Sequence, residues 1–578
     1  MMFQLNKDDK RAAVLNETGN LLIMGGPGSG KTTIALFKAK EIVSSGKLKS
    51  GQKILFLSFA RATVSRVEEH ADALIPSTVK SLIEINTYHG FEWNILQRHG
   101  YLLNDKPLRL LPPHEAASRL AGINKDEIVE VAHSLFESQG LVHFDIFADL
   151  SNSLLKRSNA LRKIICDMYP IIILDEFQDT NPNEWELICT LGLNSTLIAL
   201  ADPEQRIYDF RGADPKRISS FIERFSPSVF DFGTENNRSN GTDIVQFGND
   251  LLAQQNKGKT YEDVMIRTYS SMIPELKHIS LKAKVLDACK WLKKESGNNE
   301  WSIAVLVPTN ALMLEVSDVF QKEQRFSAKQ TLPSISHDVS IDTAGPSLAA
   351  LFVALLLEKG SAKECLTEDV LSALNTHILG RKGNHAPTKV DAEICKAIEK
   401  YISTGIVLGK NRKALIQDCE RIASAVNEFS FSGNIIVDWK HIVEIVNVSS
   451  SPYLKNLVYD VRYLRLLQKG SQLHSSLGSL WKNNSSYAGA VDAVSTALTQ
   501  EHFSMSTKKW NGINVMTIHK AKGKEFDVVI VYEGRYQSRI VSRPDRIDQA
   551  RLNLRVAVTR AKKCALILTP EEDPCPLL

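Results

Sequence analysis

The stretch LLIMGGPGSGKTTIALFKAKEIV, residues 21–43, decides the fold class of this chain. It begins with four apolar residues, passes through a glycine-rich loop and continues in a helical pattern. Glycines allow backbone N–H groups to curl around phosphate oxygens, and the N-terminus of the helix that follows favours negative charge. The order strand, loop, helix therefore predicts a phosphate-binding loop at the edge of a parallel sheet.

The loop fits the pattern G-x-x-x-x-G-K-[ST], which supplies a specific set of nucleotide contacts. Lys31 is expected to reach the β- and γ-phosphates of ATP, and Thr32 is expected to bind its Mg²⁺. The candidate nucleotide-binding residues of the loop are Gly25, Gly26, Pro27, Gly28, Ser29, Gly30, Lys31, Thr32 and Thr33.

Asp175 and Glu176 form an acidic pair directly after the apolar run YPIIIL. Ligands of a parallel sheet bind at the carboxyl ends of its strands, so this pair is expected beside the loop. Asp175 would hold the Mg²⁺ directly or through water, and Glu176 would orient or deprotonate the attacking water. A hydrolysis site also needs an arginine near the γ-phosphate, which composition alone does not select.

Apolar runs without polar alternation predict two sets of buried parallel strands. Besides 21–24, the first set comprises 53–60, 169–176 and 195–202, and the second comprises 302–309, 513–518, 527–533 and 564–569. Mostly helical patterns occupy 92–168 and 345–505, which we interpret as insertions. The sequence therefore predicts an α/β chain with two parallel sheets, each accompanied by a mostly helical insertion.

Composition excludes several other classes of protein. The 578 residues carry a net charge of +4, with 43% hydrophobic and 24% charged residues, which are ordinary values for a globular protein. The eight cysteines contain no C-x-x-C pair, which argues against a zinc ribbon or a disulfide scaffold. The N-terminus lacks the apolar segment of a signal peptide, and the longest apolar run, 348–357, is too short to cross a bilayer. We therefore expect a soluble cytoplasmic protein with no membrane segment, a buried helix over 348–357, and only local basic surfaces.

Eight segments, in order along the chain, resemble the motifs of the UvrD/Rep-type superfamily 1 DNA helicases. The most specific of them contain DEFQDT, DPEQ-x-IY-x-FRGA and TIHKAKG-x-EFD. The segments are GGPGSGKTT (25–33), LFLSFARA (55–62), INTYHGF (85–91), LDEFQDTNPNEW (174–185), ADPEQRIYDFRGAD (201–214), ENNRS (235–239), VMTIHKAKGKEFDVVIV (515–531) and RLNLRVAVTRAKK (551–563).

The resemblance implies two RecA-like P-loop domains with parallel sheets, each carrying a mostly helical inserted domain. ATP would bind between the RecA-like domains, and single-stranded DNA would cross them. The expected divisions are 1–91 with 169–230 for the first RecA-like domain, 92–168 for its insertion, 231–344 with 506–578 for the second, and 345–505 for its insertion.

The resemblance also implies roles for single residues. Gln205 would sense the γ-phosphate, and Arg238 and Arg560 would be arginine fingers, which completes a catalytic set with Lys31, Asp175 and Glu176. Gln178 would link the hydrolysis site to the DNA-side motifs, and Gly523 and Glu525 would belong to the nucleotide site, with Glu525 touching the ribose. The residues at positions where the family contacts DNA are Phe59, Tyr88, His89, Tyr208, Phe210, Arg211 and His519.

Departures from the family pattern cluster at the nucleobase. Asp9 stands where the family has a glutamine that reads adenine, Asn237 replaces a stacking tyrosine, and Thr33 replaces an arginine near the base. We therefore expect hydrolysis with poor discrimination between bases. On the DNA side, Arg555 replaces an aromatic residue and Lys524 an apolar one, which weakens the case for robust strand separation.

Three functions follow from these patterns. The first is an ATP-driven translocase on single-stranded DNA with the family's 3′ to 5′ polarity. The second is a regulatory DNA-sensing ATPase that licenses a separate nuclease, because a compact chain of this kind resembles the helicase-like subunits of Gabija-type anti-phage systems. The third is a P-loop switch that needs no nucleic acid, and the retained aromatic residues argue against it.

Overall fold

The computed structural model of the chain describes residues 10–26, 28–59, 61–124, 127–202, 216–233, 242–272, 278–296, 300–327, 330–339, 344–381, 383, 387–461, 472–503 and 510–578. The chain divides into two compact units. Unit 1 comprises Met1–His99, Ala148–Ser340 and Met505–Leu578, and unit 2 comprises Gly100–Phe147 and Ile341–Ser504.

The strands of the described residues fall into two large sheets and two short pairs. They are β1 (Leu21–Met24), β2 (Ile54–Ser58), β3 (Ile83–Thr87), β4 (Arg109–Leu110), β5 (Leu141–Val142), β6 (Ile171–Leu174), β7 (Thr196–Ala201), β8 (Ser228–Asp231), β9 (Val264–Tyr269), β10 (Ser302–Val307), β11 (Gln324–Ser327), β12 (Gln330–Leu332), β13 (Asp338–Val339), β14 (Gly512–Thr517), β15 (Phe526–Tyr532) and β16 (Ala561–Pro570).

The α-helices of the described residues follow in chain order. They are α1 (Lys10–Asn16), α2 (Lys31–Ser44), α3 (Arg61–Leu74), α4 (Ser77–Lys80), α5 (Tyr88–His99), α6 (Pro113–Arg119), α7 (Ile128–Gln139), α8 (Phe147–Arg157), α9 (Asn159–Met168), α10 (Pro182–Leu191), α11 (Arg217–Phe225), α12 (Ile244–Leu252), α13 (Ile279–Ser296), α14 (Asn310–Gln321), α15 (Ala344–Ala362), α16 (Thr367–Gly380), α17 (Lys389–Thr404), α18 (Lys410–Glu428), α19 (Ile435–Asn447), α20 (Pro452–Val461), α21 (Gln472–Asn484), α22 (Ala490–Phe503) and α23 (Ile547–Val558).

The first sheet of unit 1 has six parallel strands in the order β3-β2-β6-β7-β1-β8. Its inner strands are the apolar runs of the sequence, and β2 is buried along its whole length. Strands β1 and β6 both pair in parallel with β7, which lies between them, so their carboxyl ends lie close together at the same edge of the sheet. This order places the glycine-rich loop after β1 close to the acidic pair after β6.

The second sheet of unit 1 also has six parallel strands, in the order β13-β14-β10-β15-β16-β9. Together the two sheets confirm the predicted α/β fold with parallel sheets. The sequence did not predict β3, β8, β9 or β13, all of which lie at sheet edges. One face of an edge strand is less covered, so β8 and β9 contain exposed and polar positions instead of a continuous apolar run.

Unit 2 is mostly helical and is built around α15. This helix packs against α6, α16, α18, α19, α20 and α22, which explains why it is apolar on all sides. Among the described residues it is the one helix long and apolar enough to cross a membrane, but 67% of its most apolar window is buried in the protein. The buried helix expected over 348–357 is therefore confirmed.

Contacts group the chain into two units, whereas the sequence predicts four domains. Both sheets fall in unit 1, and helical segments of both expected insertions fall in unit 2. Helices α8 and α9, at the end of the expected insertion 92–168, lie almost wholly in unit 1. The four-domain division stays a prediction.

Candidate functional site

The glycine-rich loop is anchored to its own sheet on both sides. The N–H of Gly25 donates to the carbonyl of Ala201 at 3.2 Å, and the N–H of Gly26 donates to the carbonyl of Gly233 at 2.8 Å. A Cβ atom on Gly25 would lie 2.7 Å from the hydroxyl oxygen of Ser29. The tight curl of the loop therefore requires glycine at this position.

The end of the loop leads directly into helix α2. Gly30 has a φ of 88° and precedes Lys31, the first residue of the helix. A left-handed conformation at this position favours glycine, and it directs the N-terminus of α2 towards the loop. Thr32 and Thr33 lie half-buried in the first turn of the helix.

The amine of Lys31 lies within the curl of the loop. Its Nζ donates to the carbonyls of Gly25 at 2.6 Å and of Gly26 at 3.0 Å. A lysine held in this way can exchange loop carbonyls for phosphate oxygens without a large movement of its side chain. This position agrees with the phosphate-binding role expected for Lys31.

Arg11 braces the loop from helix α1, a contact that sequence reasoning missed. Its Nη2 donates to the carbonyl of Ser29 at 3.2 Å, and its guanidinium carbon lies 5.0 Å from the centroid of the Phe232 ring. The signal that could have revealed it is its position two residues after Asp9, because Asp9 occupies the place of the glutamine that reads the base in the family. A planar guanidinium suits simultaneous stacking and hydrogen bonding.

Asp175 follows β6 and is held in place inside the protein. It is 4% exposed, its carboxylate accepts a hydrogen bond from the Ser58 hydroxyl at 3.2 Å, and its N–H donates to the carbonyl of Leu57 at 2.8 Å. A fixed carboxylate and a threonine hydroxyl are hard oxygen donors of the kind that Mg²⁺ prefers. Asp175 and Thr32 therefore fit the expected magnesium site by the chemistry of their donors.

Glu176 adopts a left-handed conformation with a φ of 53°, which is unusual for a residue other than glycine. Burial alone raises the pKa of its carboxyl. The positive charges of Lys522 and Lys31 act in the opposite direction, followed by a hydrogen bond from Gln178 and the charge of Arg560. The net result is a pKa below the usual value, so Glu176 is ionised at neutral pH.

Gln178 connects the acidic site to the end of the neighbouring strand. Its side-chain amide donates to Oε2 of Glu176 at 2.7 Å, and its carbonyl oxygen accepts the N–H of Asp202 at 3.0 Å. Both functions of one buried amide are therefore used. Asp202 follows β7 and immediately precedes the segment 203–215.

Lys522 reaches the acidic site from the second sheet, and sequence reasoning also missed it. Its Nζ forms an ion pair with Asp179 and lies 4.0 Å from Oε2 of Glu176. The Lys522 side chain is 4% exposed and that of Asp179 is 1% exposed, so this pair is shielded from water. The signal that could have revealed it is the lysine before Gly523 in the motif TIHKAKG.

Arg560 also approaches the acidic site from the second sheet. It is buried between α23 and β16, and its Nε donates to the carbonyl of Val556 at 3.1 Å. Its charge contributes to the lowered pKa of Glu176. Glu525, directly before β15, lies 3.9 Å from Nζ of Lys562.

Two aromatic rings expected at the DNA surface stack on each other. The rings of Phe59 and Tyr88 have centroids 4.5 Å apart and planes inclined by 28°. Tyr88 is 3% exposed, whereas Phe59 is half-buried. The expectation that Tyr88 presents its ring to DNA does not fit this arrangement, because the ring is enclosed at the start of α5 and supports Phe59 from inside. His89 is half-buried beside it.

A cleft of about 520 Å³ opens at the carboxyl ends of strands in the second sheet. His519 lines it, and burial and then the charge of Lys522 lower the pKa of this histidine, so it is neutral at pH 7. The other polar and basic residues in its wall are Thr309, Gln537, Arg539, Ser542, Asp545, Arg546, Gln549 and Asn553.

Two family models match the chain. The model described as UvrD/REP helicase N-terminal domain matches residues 5–139 and 114–226, and that described as UvrD-like helicase C-terminal domain matches residues 396–572. Together they cover more than half of the sequence. The chain belongs to the UvrD/Rep helicase family.

Several relatives of this helicase span nearly its whole length. A DNA helicase II homolog of Mycoplasma pneumoniae is 23% identical over 98% of this chain and 84% of its own length. The ATP-dependent DNA helicase PcrA of Staphylococcus aureus is 21% identical over 97% of this chain and 82% of its own. The ATP-dependent DNA helicase Rep of Escherichia coli is 23% identical over 42% of each chain.

Family membership makes the helicase an enzyme of the ATP-hydrolysing class. The structure places part of the expected nucleotide site around Glu176. Lys31, Gln178 and Arg560 each act on Glu176 by contact or by charge, whereas Asp175 is held by Ser58 and Leu57. Some expected site residues lie outside the residues that the structure describes: Pro27, Gln205, Tyr208, Phe210, Arg211 and Arg238.

Proposed function

We propose that this helicase is a cytoplasmic DNA-dependent ATPase that translocates along single-stranded DNA with 3′ to 5′ polarity. It would separate DNA that carries a 3′ single-stranded tail. The observation that supports this most is an acidic site that receives cations from two sheets. Lys31 comes from the loop of the first sheet, and Lys522 and Arg560 come from the second. A site completed by two parts can couple hydrolysis to their movement.

Hydrolysis would use the residues around the loop. Lys31 would bind the phosphates of ATP, and Asp175 and Thr32 would hold Mg²⁺, which supplies positive charge next to the phosphates. Glu176, ionised at neutral pH, would accept a hydrogen bond from the attacking water and orient it. Arg560 would stabilise the negative charge that develops on the γ-phosphate.

Gln178 would carry information from hydrolysis to DNA. Any movement of the Glu176 carboxylate acts on the Gln178 amide, which also holds the N–H of Asp202. Asp202 precedes the segment that contains Gln205, Tyr208, Phe210 and Arg211. A change at the phosphates would therefore reach the residues expected to contact bases.

The DNA track would combine a stacking ring and a polar cleft. Phe59 rests on the buried Tyr88 ring, so its outer side could stack on a base without rearrangement of the core. In the second sheet, the cleft lined by His519, Arg546 and Asn553 would offer hydrogen-bond donors to phosphates. Its charge is mixed, because Asp545 also lines it and Arg539 is paired with Asp573 at 2.9 Å.

Two measurements on the full chain test the proposal. ATP hydrolysis is measured with and without single-stranded DNA, and unwinding is measured on duplexes with a 3′ tail, a 5′ tail or blunt ends. We expect DNA to stimulate hydrolysis and ATP to drive unwinding of the 3′-tailed duplex only. Lys31→Ala is the control, which should abolish hydrolysis and largely spare DNA binding.

The other outcomes separate the alternatives. Stimulated hydrolysis without unwinding would replace the motor with a regulatory ATPase that licenses a separate nuclease in anti-phage defence. Hydrolysis that ignores DNA would contradict a DNA-dependent function altogether. Unwinding of the 5′-tailed duplex in preference to the 3′-tailed one would contradict the proposed polarity.

A further inference from the structure

Helix α13 presents lysines and a tryptophan to solvent near the start of β16. Its apolar side faces the sheet, where Leu281, Val285 and Leu292 are fully buried. The opposite side and the neighbouring strand carry a group that we name the α13 patch. It consists of Lys290, Trp291, Lys293, Lys294 and Lys563.

Trp291 is the unusual member of the α13 patch. It is 42% exposed, although tryptophan is a large side chain that is costly to leave in water. Nζ of Lys563 lies 5.9 Å from the centroid of its ring, so the ring is partly oriented by a cation. One ring in contact with solvent and flanked by lysines is an arrangement that favours a ligand with both π faces and negative charge.

The lysines of the α13 patch differ in their neighbours. Lys563 pairs with Glu295 at 2.8 Å. Within the part of the chain that the structure describes, no carboxylate lies in ion-pair distance of Lys290, Lys293 or Lys294. Because the whole chain carries only +4, three lysines outside any ion pair within little more than one turn of one helix form a local positive site.

We propose that the α13 patch is a second contact for single-stranded nucleic acid, apart from the cleft lined by His519. Lysines neutralise phosphates, and Trp291 provides a surface on which a base stacks. The pair Lys290 and Lys294 lies on one face of the helix, about 6 Å apart along its axis. An acidic peptide would use the charges but would have no need for the exposed ring.

The test compares two charge reversals of equal size in the full chain. K290E/K294E changes the α13 patch, and K47E/K49E changes two exposed lysines in the turn between α2 and β2. Binding of a long fluorescent thymidine oligonucleotide is measured by anisotropy between about 50 and 200 mM salt. We expect K290E/K294E to weaken binding about tenfold and to reduce the logarithmic salt slope by about 1.4, since each lost phosphate contact removes about 0.7. We expect K47E/K49E to match the unaltered protein within about twofold.

Trp291 is tested separately from charge. W291A should weaken oligonucleotide binding about tenfold and leave the salt slope unchanged, because stacking releases no counterions. W291F keeps an aromatic face and should restore most of the affinity. DNA-independent ATP hydrolysis in all variants checks that they are folded.

Three results would overturn the proposal. The first is equal binding by K290E/K294E and K47E/K49E. The second is unchanged binding by W291A. The third is displacement of the oligonucleotide by polyglutamate to the same extent from W291A and from the unaltered protein, which would show that the surface binds anions in general. Since binding is the readout, the outcome does not depend on whether the helicase translocates or unwinds.

Discussion

Replacing Lys522 by methionine removes a charge from the interior of unit 1 at nearly constant side-chain volume. Asp179 then loses its lysine while it is only 1% exposed. Breaking a buried ion pair by removing one partner costs about 3–5 kcal/mol, because the remaining charge stays buried. At roughly 1–3 °C per kcal/mol for a unit of this size, we expect the melting temperature of unit 1 to fall by about 3–15 °C.

The same substitution should alter the pH dependence of ATP hydrolysis. Lys522 is the largest of the influences that lower the pKa of Glu176, so its loss raises that pKa. A carboxyl with a depressed pKa becomes protonated only at low pH, and it becomes protonated at a higher pH when the depression is relieved. The acid limb of the kcat profile for DNA-stimulated hydrolysis should therefore move to higher pH in Lys522→Met.

Controls separate this contact from a general effect of losing a lysine. Lys562→Met removes the cation of a surface pair with Glu525, which is worth about 0–1 kcal/mol and should leave melting and the acid limb nearly unchanged. In a double-mutant cycle with Asp179→Asn, the two substitutions should couple by at least about 1 kcal/mol. Additive effects, or a Lys522→Met variant with the melting temperature and acid limb of the unaltered helicase, would refute the reasoning.

Three further predictions follow from the site. Gln178→Ala removes a hydrogen bond to the ionised Glu176, and such a contact is worth about 1.5–3 kcal/mol. We therefore expect kcat to fall about 10- to 100-fold and the stimulation of hydrolysis by DNA to be lost. Steady-state rates with and without DNA measure both effects, and an unchanged stimulation ratio would contradict the coupling role. Phe59→Ala should weaken single-stranded DNA binding about tenfold in anisotropy titrations, whereas Tyr88→Phe, which keeps the buried ring, should have no effect; equal effects would rule out Phe59 as the stacking surface. ATP, GTP and CTP should be hydrolysed with kcat/KM values within about a hundredfold of one another, because three residues that contact the base in the family are replaced here. A stronger preference for ATP would show that other groups read the base, and Arg11 would be the first candidate.

Local sequence determined the parts of the site that are local in structure. The glycine-rich loop needs left-handed residues and a lysine within a few positions, and the inner strands are continuous apolar runs, so both were predictable. The pair Lys522 and Asp179 was not, because the two residues are 343 positions apart and only the fold brings them together. The burial of Tyr88 likewise depends on how α5 begins against β3, which a motif at that position does not specify.

The edge strands could not be predicted from the sequence for a different reason. Strands at a sheet edge bury fewer side chains, so their sequences keep polar residues and lose the apolar signal that marks inner strands. Arg11 illustrates the same limit within the site. It contacts the backbone of Ser29 and the ring of Phe232, which follows β8, and no periodic pattern in the sequence records these contacts.

The division of the chain into two interleaved units has a consequence during synthesis on the ribosome. Helix α6 is made early, but its partner α15 appears only after the whole first sheet and half of the second have been translated. Strands β14, β15 and β16, which occupy the middle of the second sheet, are made last. Neither unit can therefore complete its core while the chain is still being made. Apolar strands such as β10 stay without their neighbouring strands until a distant segment has been translated. Nascent chains of this helicase should depend on protection from aggregation until β14, β15 and β16 have been made.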